Sequence, residues 1–233
     1  MRRIVHISDL HFGRLAPGVL GPLRECVRRL EPHLVVVSGD LTAAARRREF
    51  RDARAFLDTL PGPQVVVPGA SDAAPRGLLR FSRPLSAYLD IVSGNLEPEY
   101  ADDVVAVIGV DTSRAPAASA AGDEDARRAR GRVHGVDARV VKIIATHRPL
   151  FDTGADIVLT GYHRDLAARE SPTPLVVASG MAPLGAAAIE TFSLHVLKLE
   201  GARVAVERWS WNAHSRRFEL VSTTNALLRG PTP

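Results

Sequence analysis

Three short apolar runs open the chain, Ile4–Ile7, Leu34–Val37 and Val65–Val67, and two stretches of helical spacing separate them. Runs this short and this continuously apolar suit strands buried on both faces. Leu20, Leu23, Val27 and Leu30 fall at i, i+3, i+7 and i+10. Phe50, Ala53, Leu57 and Leu60 repeat that spacing, with Thr42 as the candidate N-cap of their helix. A β-α-β-α-β order predicts parallel strands joined by right-handed crossovers. Similar runs follow at Val104–Val110, Val140–Ile144, Ile157–Leu159 and Leu175–Ala178.

The last third changes character. Phe192–Leu199, Arg203–Trp211 and Arg217–Val221 read as consecutive strands, joined by Glu200-Gly201 and by Asn212–Arg216. Joins this short predict an antiparallel meander. Trp209 and Trp211 share one face of the middle strand, as packing residues. Ser113–Arg132 is the clearest irregular segment, read as a surface loop or a short solvated helix.

The 233 residues predict a single domain over 1–233. No stretch approaches the roughly 20 apolar residues of a membrane span. Met1-Arg2-Arg3 runs straight into the first strand without a secretory pattern, so a cytoplasmic protein is expected. A lone cysteine, Cys26, excludes an internal disulfide and a Cys-rich zinc site. The net charge of +4 comes almost wholly from arginine, the only lysines being Lys142 and Lys198. No nucleic-acid motif accompanies that charge, so it reads as the composition of a GC-rich genome, and a nucleic-acid partner is not expected.

Loops after the strands of an open parallel sheet meet at one edge. Here they carry Ser8-Asp9-Leu10-His11, Ser38-Gly39-Asp40-Leu41, Pro68-Gly69-Ala70-Ser71-Asp72, Thr146-His147-Arg148 and Thr160-Gly161-Tyr162-His163. Carboxylate oxygen and neutral imidazole converging from separate loops suit manganese, iron or zinc. Alone, each residue reads as a cap or a satisfied polar group; together they read as a metal site.

Taken in order, these motifs resemble the calcineurin-like metallophosphoesterases, whose pattern is D-x-H, G-D, G-N-H-D/E, a His, then G-H-x-H. The resemblance implies a four-layer αββα sandwich of mixed sheets flanked by helices, closing on the antiparallel meander. It implies a first metal on Asp9, His11, bridging Asp40 and a last histidine matched to His163. It implies a second metal on Asp40, an asparagine, His147 and a further histidine. A metal-held hydroxide would attack a phosphodiester or phosphomonoester in line.

The sequence departs from that pattern. Ala70 stands in place of the metal-binding asparagine, and Ser71 in place of the active-site histidine. The last motif reads Gly161-Tyr162-His163, so His163 fits either metal, and Tyr162 occupies a degenerate position. Only 13 residues separate His147 from Gly161. One or two divalent metals per chain are therefore expected. Two functions stand side by side: an impaired phosphoesterase, or a silent scaffold that binds a protein or a phosphate ligand. A retromer subunit of this fold works as a protein scaffold, which gives the second a precedent.

No Gly-x-Ser-x-Gly elbow supports Ser71 as a nucleophile, and no Gly-rich phosphate loop is present. His33 and His195 read as structural, and His134 and His214 as surface-loop residues. His6 fits either packing or support behind the metal site.

Overall fold

The computed structural model describes residues 1–15, 17–73, 84–113, 123–161, 175–180 and 192–228. Two mixed sheets stack face to face, with helices on both outer sides. The first has six strands in the order β11-β10-β9-β1-β2-β3. Its parallel half is β1 (Arg2–Ile7), β2 (Leu34–Ser38) and β3 (Gln64–Val67). Its antiparallel half is β9 (Ser193–Glu200), β10 (Arg203–Asn212) and β11 (Arg217–Leu227). The second sheet orders five strands: β4 (Glu99–Ala101), β5 (Val105–Val110), β6 (Val141–Thr146), β7 (Ile157–Thr160) and β8 (Leu175–Ala178). All its pairs are parallel except β4 with β5.

Strand alternation explains the layering. Ile4, Leu34, Val36 and Val65 face Val105, Val107, Ile143 and Leu159 across the sheet–sheet core. Their neighbours Val5, Ile7, Val35, Val37 and Val66 face helices α1 (Pro17–Arg29), α2 (Arg47–Leu57) and α3 (Ser86–Ile91). On the far side, Ile108, Val110, Ile144 and Val158 pack against Ala129 and Val133 of α4 (Asp123–His134). Both faces of the parallel strands are thus buried, as their continuous hydrophobicity requires. The sandwich is αββα.

Several local readings change. The buried face of α1 is Val19, Leu23, Cys26 and Val27, and Leu20 is only partly buried. Thr42 does not cap α2. The cap position is Arg46, and Glu49 reaches back to accept from its backbone N–H at 3.3 Å. Of Ser113–Arg132, 114–122 lie outside the described residues, and the rest takes the expected helical alternative: its acidic run forms the first turn of α4, where carboxylates complement the helix dipole. Arg132, near the other end, binds Glu97, Glu99 and the Gly109 carbonyl at 2.6–3.1 Å. His134 therefore ends a helix rather than sitting in a loop. Strand β11 continues six residues past Val221. Trp209 and Trp211 do pack: Trp211 lies 5.6 Å from Phe218, and the Arg29 guanidinium stands 5.9 Å over Trp209. Among the described residues, no helix is long and apolar enough to cross a membrane.

Candidate metal centre

Backbone pairing outlasts the strands at one edge of the first sheet. The Asp9 N–H donates to the Gly39 carbonyl at 3.1 Å, His11 to Asp40 at 2.9 Å and Phe12 to Leu41 at 2.7 Å. The loops after β1 and β2 are thereby held side by side. Asp9, His11 and Asp40 all take left-handed backbone, with φ of 56°, 42° and 51°. Such strain costs a non-glycine residue on the order of 1 kcal/mol or more and gathers at functional sites.

The second sheet supplies His147 from the end of β6. Its Nε2 lies 3.3 Å from Asp40 Oδ1, while His11 Nε2 lies 3.7 Å from Asp40 Oδ2. Asp40 thus stands between the two imidazoles, one on each carboxylate oxygen. Asp9 Oδ1 is 3.8 Å from His11 Nε2. Ligand atoms of Asp9, Asp40 and His147 all fall within 4.8 Å of one another. Among the described residues this is the one compact set of potential metal-binding side chains. It gathers three of the residues that the sequence resemblance assigned to metal, Asp9, Asp40 and His147.

Both ring orientations are fixed from behind. His147 Nδ1–H donates to the Ser38 carbonyl at 3.0 Å, and His11 Nδ1–H to the Thr42 carbonyl at 3.3 Å. A carbonyl only accepts, so each Nδ1 carries a proton, which leaves Nε2 as the atom that faces the carboxylates and would take a cation. Lone pairs facing carboxylates repel unless a cation stands between them, either a proton or a metal. Burial works against a proton on His147, but Asp40 and then Asp9 outweigh it and raise its pKa above the ordinary value. The donor set and the imposed tautomers fit a divalent cation.

Three glycines make room. A Cβ on Gly39 would lie 2.6 Å from His147 Cβ, and one on Gly161 would lie 2.4 Å from His147 Nδ1. A Cβ on Gly69 would lie 2.1 Å from Asp40 Oδ1. The His147 ring and the Asp40 carboxylate therefore rest on bare backbone.

Ala70–Asp72 forms a single 3₁₀ turn beside Asp40. The Ser71 N–H donates to Asp40 Oδ1 at 3.0 Å, and its hydroxyl donates to the Thr42 carbonyl at 2.7 Å. Asp72 is the residue whose role sequence reasoning missed. Its buried carboxylate accepts from Leu41 N–H, Thr42 N–H, Thr42 Oγ1–H and Gly69 N–H at 2.8–3.1 Å. It clamps the loops after β2 and β3 together. Burial first, and the charge of Asp40 second, push it up to about 6.

His6 lies behind the site: its Nε2 is 2.7 Å from Ser38 Oγ, on the residue whose carbonyl holds His147. His33 is structural, its Nδ1 accepting from the Arg3 N–H at 3.2 Å. His195 pairs with His6 in the β1–β9 ladder, and His214 sits exposed in the β10–β11 turn. Tyr162 and His163 lie outside the described residues.

Residues 2–206 match the family profile described as calcineurin-like phosphoesterase. The chain belongs to the calcineurin-like phosphoesterases. Measured against the family motif, this calcineurin-like phosphoesterase has a degenerate site, with Ala70 and Ser71 in place of Asn and His. No curated protein matches the sequence. Solved structures share the fold at low identity. A purple acid phosphatase from yellow lupin (Lupinus luteus) is 13% identical with a TM-score of 0.63, covering 96% of this chain and 53% of its own. The chain thus spans about half the length of that enzyme. GAP50, the anchor in the inner membrane complex of Plasmodium, is 11% identical with a TM-score of 0.60, covering 98% and 89%. Wild-type Vps29 from Entamoeba histolytica, complexed with zinc, is 13% identical with a TM-score of 0.52, covering 96% and 98%.

Proposed function

We propose that this calcineurin-like phosphoesterase is a pseudoenzyme that holds one divalent cation and presents the surrounding edge to a protein partner. Asp9, Asp40 and His147 would hold the ion, with His11 beside Asp40. Manganese, iron and zinc all accept this oxygen and imidazole set. When bound, the ion supplies Lewis-acid polarisation and a hydroxide at neutral pH. The chain supplies two carboxylates that offset its charge and two imidazoles held in the binding tautomer.

One observation carries the reading. Ser71 takes the place of the family's active-site histidine, and its hydroxyl is spent on the Thr42 carbonyl. It offers neither a cation nor an acid to a leaving group. Asp72 cannot substitute, because both its oxygens are occupied by four donors. Loss of general acid–base help costs roughly 10²–10⁴-fold in rate. Ala70 removes an oxygen donor for a second ion as well. The GAP50 described as an anchor supports the scaffold reading, and the Vps29 solved with zinc supports a metal held on the same fold.

A second reading, slow hydrolysis of a phosphate ester, rests on Arg148. Arg148 directly follows His147, and its N–H donates to Thr112 Oγ1 at 3.1 Å, which places a guanidinium-bearing residue at this edge; burial lowers its pKa and Asp40 offsets that only in part.

Hydrolysis of bis-p-nitrophenyl phosphate in the presence of manganese separates the two. The wild type is expected at background, and Ala70→Asn combined with Ser71→His at least about 10-fold above it. Wild-type turnover in the ordinary enzymatic range, roughly 1–10³ s⁻¹, would overturn the proposal.

A further inference from the structure

Two stacked sheets have four edges, and three of them are blunted. β3 has 4 residues and lies between Pro63 and Pro68. β4 has 3 and is flanked by Pro98, Asp102 and Asp103. β8 has 4. Short edges, prolines and charges are the usual devices against edge-to-edge pairing. The fourth edge, β11, has none of them over most of its length. It runs for 11 residues, and Leu220–Leu227 contains no charge, proline or glycine. Three large apolar side chains stand out along it: Leu220 at 48% exposure, Val221 at 61% and Leu227 at 78%.

The register shows why these side chains belong together. Leu220 pairs with Trp209, which packs against the helix-side core. The ladder then slips by one residue at Val221, so Ser222 pairs with Arg208. Ala226 packs into the sheet–sheet core, which leaves Leu227 on the helix side. The bulge therefore places Leu220 and Leu227 on the same face at the two ends of the uncharged stretch.

We infer that β11 pairs with β11 of a second copy, antiparallel and in a register centred on Thr224. That register sets Thr224 against Thr224 of the partner subunit and Thr223 against Asn225 of the partner subunit. With Val221 bulged, it sets Leu220 against Leu227 of the partner subunit. The stretch is its own complement: Thr–Thr and apolar cross-strand pairs each add roughly 0.2–1 kcal/mol, and the open row of N–H and C=O groups is satisfied. A stretch without charge carries no electrostatic preference for a foreign charged strand. The interface spans 8 residues a side, below the roughly 20–30 of a standard interface, so the dimer is expected to dissociate in the micromolar range. Two six-stranded halves would join into one continuous sheet. Antiparallel pairing points the two metal-site edges in opposite directions, so the dimer would be bivalent.

Sedimentation velocity on the full chain tests this, from about 1 to about 200 µM, the range a small edge-to-edge interface requires. The expected result is a monomer–dimer equilibrium that Thr224→Lys weakens at least about 10-fold by setting two like charges opposite each other. At about 1 µM, where both chains are expected to be monomeric, the melting temperature of that variant should match the wild type. Hydrogen exchange on the wild type gives an independent reading, with amides of 220–227 gaining protection as concentration rises. A wild type that stays monomeric throughout overturns the inference. So does a dimer that Thr224→Lys leaves intact, because its interface then lies elsewhere.

Discussion

Asp40 Oδ1 lies 3.3 Å from His147 Nε2, and that short distance ties the second strand of one sheet to the sixth strand of the molecule in the other. The two residues are far apart in sequence and arrive by different crossovers. Their meeting is a property of the whole sandwich, so the site reports on the packing of the two sheets as well as on its own chemistry.

Gly161→Ala tests that packing. Its φ is not left-handed, so the cost is steric: the new Cβ falls 2.4 Å from His147 Nδ1. The ring must leave the Ser38 carbonyl. Metal affinity is expected to fall at least about 10-fold, with about 1–3 kcal/mol of lost stability. Isothermal titration with manganese and a thermal melt read both; affinity within twofold of the wild type would show that the ring position does not matter.

Asp72→Asn tests the clamp. An amide keeps one acceptor oxygen but turns an NH₂ group toward two of the four donors. The expected loss is about 2–3 kcal/mol, read by denaturant titration, with metal binding weakened because the loops of Asp40 and Ser71 come apart. A midpoint unchanged from the wild type would remove Asp72 from the account.

Acid sensitivity should come partly from His195. Burial, then the Arg208 charge, pull its pKa down to about 4. An unfolded chain takes up that proton near the ordinary value of about 6.5, and the folded chain refuses it. Its contribution is therefore complete above about pH 6.5 and is lost as pH falls toward 4, to the extent of about 3 kcal/mol. Asp72, held up at about 6, works in the opposite sense, so the comparison must isolate one group. His195→Gln should flatten the fall in melting temperature between pH 6.5 and pH 4 relative to the wild type. Parallel curves would contradict the assignment.

The sequence was most legible where one physical demand dominated. Ile4–Ile7 and Leu34–Val37 are apolar at nearly every position because both faces are covered, and the structure confirms each side. β4 and α3 leave no pattern in the sequence because 3 and 6 residues are too few to show a period. The end of β11 leaves none because Ser222–Asn225 has no apolar face to bury. Asp9, His11, Asp40 and His147 were legible as chemistry at strand ends, and the fold brings these four together. The clamp at Asp72 was not, since three of its four donors come from residues some thirty positions earlier. Thr42 looked like a helix cap for a related reason: its hydroxyl serves Asp72, a partner that local sequence does not show.

Bound-metal stoichiometry tests the central claim most directly. The purified chain would be equilibrated with manganese, desalted and assayed by elemental analysis beside Asp40→Ala. The account predicts one metal per chain, lost in the variant. Two metals per chain would mean that other groups complete a second site despite Ala70, and would contradict the proposal that the chain holds one divalent cation.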